Sequence, residues 1–92
     1  MTEDGFDIDA TPEALEYLSE IAAEMTLLFS IERKEAIGRI NKLWGGRRKF
    51  RTEMQLGLFF RENVEYWAKQ VYYRDDTKWW REGEELIPRS YP

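Results

Sequence analysis

The residues with the means to do chemistry fall into three groups: paired carboxylates, a basic run threaded with aromatics, and a late cluster of tyrosine and tryptophan. Glu62 and Glu65 stand three apart, on one face of any helix that contains them, and Asp75-Asp76 are adjacent. Either pair offers oxygen atoms to a hard cation, yet such ions want a cage of six or more ligands, more than either pair supplies. Surface helix charge and a helix cap are the simpler readings. The chain has no histidine and no cysteine. The commonest general base, the commonest metal ligand and the best nucleophile are therefore absent. Ser19, Ser30 and Ser90 have no histidine to activate them, and Gly45-Gly46-Arg47 lacks the spacing and the lysine-serine or lysine-threonine ending of a phosphate loop. We expect no enzyme, no metal and no cofactor.

The basic run is the second group. Arg39, Lys42, Arg47, Arg48, Lys49 and Arg51 lie between positions 39 and 51 with no acid among them. Residues 1–32 carry nine acids and no lysine or arginine, whereas residues 33–92 carry fourteen basics against nine acids. Such asymmetry points to nucleic acid, to an acidic partner, or to pairing within the chain. Trp44 and Phe50 flank the run, so aromatic stacking on a base beside a gripped phosphate is one reading. The net charge of −4 and pI near 4.9 argue against it, because a dedicated nucleic-acid binder is usually basic.

The third group sits in residues 59–80, FFRENVEYWAKQVYYRDDTKWW, with eight of the fourteen aromatics. One small core cannot easily take them all. Tyr72-Tyr73 and Trp79-Trp80 are adjacent pairs, and neighbours on a helix point about 100° apart. At least one of each pair belongs at an edge. Tyrosine and tryptophan are favoured at protein interfaces for their large area and polar handle. We therefore expect Tyr73, Trp79 and Trp80, with Trp44, to contact a partner, rimmed by Arg74, Lys78 and Arg81.

Elements must position these groups. Thr11-Pro12-Glu13 starts a helix, with Thr11 as cap and proline at the first helical position. Ala14, Leu15, Leu18, Ile21, Ala22, Met25 and Phe29 line its inner face, and Leu27 points away. Ser30 is the next cap, before a second period of Ala36, Ile37, Ile40, Leu43 and Trp44. Gly45-Gly46 ends that helix, since glycine accepts the left-handed conformation. Thr52 and Gln55 have the spacing of a capping box. The stripe Phe60, Val64, Trp67 and Val71 predicts that one helix runs on to about residue 74. Gly57 interrupts it, and a break between Gly57 and Arg61 stays open, as does a short strand over 56–60. Leu18, Ile21, Ala22, Met25, Ile37, Ile40, Val64, Trp67 and Val71 are the expected core.

The fold expected is all-α: a small bundle of three main helices near 12–29, 31–44 and 53–74, a short C-terminal helical turn near 77–82, and an extended tail. Residues 1–10 read as a flexible acidic arm, in which Phe6 and Ile8 alternate with acids and have the means to dock. Residues 11–83 form one helical domain, and 84–92 the tail, with Leu86 and Ile87 tucked against the body. The chain opens without a basic or apolar leader and has no long apolar run, so we expect a cytoplasmic protein and no membrane span. In general composition it resembles small acidic bacterial proteins that bind and neutralise a partner, such as toxin-immunity proteins. The function expected is non-catalytic protein–protein binding, to another protein or a second copy of the chain. The alternative is a nucleic-acid-associated module using residues 39–51.

Overall fold

The computed structural model describes residues 5–75 and 77–92. They form β1 (Asp9–Ala10), α1 (Pro12–Phe29), α2 (Arg33–Trp44), β2 (Lys49–Phe50), α3 (Glu53–Phe60) and α4 (Val64–Tyr72). The fold is mostly helical, with a small sheet added. Among the described residues no helix is long and apolar enough to cross a membrane.

The first helix is built as its sequence dictates. Thr11 Oγ1 accepts the Ala14 N–H at 3.2 Å, and Pro12 opens the first turn. Its buried residues are Ala14, Leu18, Ile21, Ala22 and Met25, and the helix packs against α4 and α2. Ser30 has a different role from the one expected. It ends α1 in the left-handed region at φ 53, while Glu32 precedes α2 without a side-chain cap. The two glycines after α2 also divide their work. Gly46 has φ 71, but Gly45 has φ −59. Gly45 is required by close approach instead: a Cβ there would lie 2.4 Å from the Asn41 carbonyl oxygen.

The single helix expected over 53–74 is two helices. α3 begins with the full capping box of Thr52 and Gln55, and the chain leaves helix over residues 61–63. Asn63 starts α4, its Oδ1 accepting the Tyr66 N–H at 2.8 Å. Trp67 Nε1 reaches back to the Phe59 carbonyl at 2.7 Å and satisfies an acceptor near the end of α3. The break turns the apolar stripe. Phe59 is fully buried, whereas Phe60 is 41% exposed and Val64 half-buried. Ile37 is also half-buried, and the other seven expected core residues are buried.

Residues 5–10 are not a loose arm. Phe6, Ile8 and Ala10 are buried on one side of an extended segment, as alternation requires. β1 lies parallel to β2 with Asp9 opposite Lys49 and Ala10 opposite Phe50. Asn41 clamps the segment to α2, accepting the Asp7 N–H at 2.8 Å and donating to the Gly5 carbonyl at 2.9 Å. Burial of three apolar side chains outweighs the solvation of the two acids between them, which stay exposed. The remainder of the expected arm, residues 1–4, lies outside the described residues.

Residues 78–84 make successive turns where a helical turn was expected, with Arg81 N–H bonded to the Lys78 carbonyl and Glu84 N–H to that of Arg81. The cap expected from Asp75-Asp76 lies partly outside the described residues, since Asp76 is not among them. Thr77 is buried and donates its hydroxyl to the Ile87 carbonyl at 3.3 Å. The tail returns along the end of α4 through a bridge between Tyr73 and Pro88. Arg74 N–H meets the Ile87 carbonyl and Arg89 N–H the Tyr72 carbonyl. Ile87 is half-buried and Leu86 exposed.

Candidate interaction surface

Trp44 does not belong to a surface patch. It is buried in an aromatic cluster with Phe50, Phe59 and Trp67, its ring centroid 5.7 Å from both Phe50 and Trp67. Phe50 stacks on Phe59 at 4.1 Å. The cause lies in two features the periodicity did not carry: the break after α3, which turns Phe59 inward, and the β1–β2 pairing, which brings in Phe50. Arg48 roofs the cluster, its guanidinium carbon 5.2–5.3 Å from the Trp44, Phe50 and Trp67 ring centres. Partial burial lowers the pKa of Arg48 and Tyr66 nearby raises it, with a net lowering.

The other expected contact residues divide into two groups. Tyr72 stacks on Phe29 at 3.8 Å, and Tyr73 meets Phe29 edge-on at 5.5 Å. Burial, then the neighbouring Tyr72, raises the Tyr73 phenol above its ordinary pKa. Trp79 lies instead against Tyr66, at 5.6 Å, with Lys69 Nζ 5.5 Å from its ring centre and its Nε1 directed at Gln70. Trp80 sits edge-on to Trp79 and is 64% exposed. Lys78 and Arg81 are exposed beside it, and Arg81 comes within 3.9 Å of Glu84. Arg74 stands apart, at the C-terminal end of α4.

The basic run is likewise split. Arg39 pairs with Glu35 at 2.8 Å and donates to the Arg89 carbonyl at 3.0 Å. Lys42 donates to the Ser90 carbonyl at 3.1 Å, and Arg51 pairs with Asp9 at 2.5 Å. Arg47 and Lys49 are exposed. Of the carboxylates, Glu65 leans toward Lys69 at 3.9 Å, and Asp75 bonds Arg89 at 2.7 Å. That bond and the charge of Arg89 hold the Asp75 carboxyl below its usual range.

One feature of the surface was missed in the sequence. α3 has apolar residues all round, yet Phe59 is the one it buries fully. Met54 is 77% exposed and Leu58 54% exposed, one turn apart on the same face. Gly57 leaves open space beside them. Arg47, Arg48 and Lys49 border Leu58 and Gln55 around a shallow hollow. The signal available was the Met54–Leu58 spacing in a helix whose inward side Phe59 already serves. Arg48 connects this face, past Trp67 and Tyr66, to Trp79 and Trp80.

Comparison with protein-family models, curated proteins and solved structures finds no match to this chain.

Proposed function

We infer that this chain is a protein-binding module that acts without catalysis, and that it binds through the outer face of α3 and the side chains beside it. The supporting observation is the pair Met54 and Leu58, held in the open on a capped helix. Large apolar side chains scattered singly are ordinary on a surface, but a contiguous apolar face with a polar rim favours a partner. Arg47, Arg48 and Lys49 supply that rim on one side. A partner segment with apolar anchors and acidic flanks fits this combination. Trp80, reached through Trp79, extends the surface and offers the kind of aromatic anchor that carries much of an interface's energy. Neutralising or regulating that partner is the biological role this reading favours.

Nucleic-acid contact through residues 39–51 fits less well, because Arg39 and Arg51 are held in ion pairs within the chain. Six phosphate contacts would give a slope of roughly −5 in log affinity against log salt.

The test compares wild type with Met54→Ser/Leu58→Ser and with Trp80→Ala. Sedimentation over a wide concentration range detects a second copy as partner, and affinity capture detects another protein. The reading expects association that both variants weaken while their unfolding curves stay unchanged. Association that neither variant alters would sink it, as would tight nucleic-acid binding with the steep salt slope.

A further inference from the structure

The C-terminal turns of α2 and α4 and the last residues of the tail enclose a cleft of about 460 Å³. Five cationic side chains line it, Arg39, Lys42, Arg47, Arg74 and Arg89, together with Tyr91. Among the described residues no carboxylate lines it. Leu43 and Val71 give it apolar wall. In a chain of net charge −4 this is a local reversal of sign.

Part of that charge serves the fold. Two helix C-termini converge on the cleft, and each presents about half a negative charge. Arg89 caps one of them, donating from Nε to the Val71 carbonyl at 3.0 Å and from Nη2 to the Gln70 carbonyl at 3.1 Å. Glu35 offsets Arg39, and Asp75 offsets Arg89. Lys42 reaches a neutral carbonyl, that of Ser90, and among the described residues Arg47 has no carboxylate within ion-pair distance. An anionic oxygen would bind these donors about twice as strongly as a neutral carbonyl does.

We propose that this cleft binds a small phosphate-bearing molecule with a planar ring, of nucleotide size. The volume lies in the range of small-molecule sites, roughly 300–1,000 Å³. Lys42 and Arg47 hold the phosphates. Tyr91 offers the ring platform. It packs so closely on α2 that a Cβ at Gly38 would fall 2.0 Å from its hydroxyl, and the guanidinium of Arg39 lies 5.1 Å from its ring centre. Tyr91 is nonetheless 37% exposed, which leaves ring surface for stacking. A nucleic-acid strand fits less well, because Arg51 is paired with Asp9 at the β1–β2 sheet and does not continue the track of charge.

The site shares Arg47 with the rim of the α3 face but none of that face's apolar residues. Calorimetric titration with ADP, pyrophosphate and adenosine tests it, on wild type, Lys42→Gln, Arg47→Gln and, as control, Lys49→Gln. All three variants alter exposed side chains, and their thermal unfolding is measured alongside. The expected result is that ADP binds better than pyrophosphate and adenosine binds least. Lys42→Gln and Arg47→Gln each weaken ADP about tenfold, and Lys49→Gln leaves it unchanged. No binding of ADP or pyrophosphate at about 1 mM would overturn the proposal. So would equal weakening by Lys49→Gln, the sign of diffuse charge attraction, or an oligonucleotide that binds more tightly than ADP.

Discussion

Trp67 does two things at once: it fills the core and its indole N–H answers the Phe59 carbonyl across the break between α3 and α4. Trp67→Ala should cost about 3–5 kcal/mol. Trp67→Phe keeps most of the apolar area but leaves a buried carbonyl without its donor, so about 1–3 kcal/mol is expected. Urea unfolding of the two variants separates packing from hydrogen bonding. Tyr17 makes a second bond to the same break, its hydroxyl donating to the Glu62 carbonyl, with its ring edge-on to Phe59 and Phe60. Burial first, then Glu20 and Glu62, raises its phenol pKa above 10.0. A group that holds its proton more tightly when folded stabilises below its unfolded pKa and loses that contribution as pH rises through the folded value. Tyr17→Phe should therefore cost about 1 kcal/mol at neutral pH and remove part of the alkaline destabilisation. Stability measured from pH 7 to 11.5 checks both. At this scale the sequence was informative where helical period decided burial, as at Leu18, Ile21, Met25 and Val71. It was misleading at Trp44 and Phe60, whose surroundings depend on residues brought in from elsewhere.

Element boundaries were legible where a side chain marks them by its own chemistry. Thr11-Pro12 and the Thr52–Gln55 box both act as their types require. The break at 61–63 was less visible because Arg61 and Glu62 are good helix formers, and the stop comes from Asn63 capping the following helix. Asn63→Ala removes that cap and should cost about 1 kcal/mol in unfolding experiments. The strands were hidden for another reason. Each is two residues long, too short for a period, and paired residues lie forty positions apart in the chain. The α3 face of the candidate surface was legible in spacing but unread, because period assigns a face without saying whether the core has room for it. At the other end of the fold, the tail depends on Arg89 for its hold on α4. Arg89→Ala should free Tyr91 from α2 while leaving the Trp44–Trp67 cluster in place. Loss of amide protection in residues 87–91 alone, by hydrogen exchange, would be the expected sign.

Viewed whole, the molecule is fastened at both of its outer segments to one helix. Gly5 lies against Ile37 and bonds Asn41, while Tyr91 covers Gly38 and Ser90 meets Lys42. The tail's hold on the end of α4 carries an acid sensitivity. Asp75 has its pKa lowered by Arg89, so its contribution is present above the ordinary aspartate pKa of about 4 and is lost as pH falls through the folded value. Tail resonances should therefore broaden in acid before tryptophan fluorescence reports core unfolding, and Asp75→Asn should abolish that early step. The adjacency on α2 has a further consequence, for the chain as a polymer. A covalent bridge between the segment at residue 5 and that at residue 91 would close a loop of about 85 residues. In the chain-entropy account such a loop stabilises by about 4.5 kcal/mol, by restricting the unfolded ensemble. Because these 92 residues contain no cysteine, an introduced pair would have no competing partner among them. Both outer segments of the described chain thus rest on one helix, α2, through non-covalent contacts.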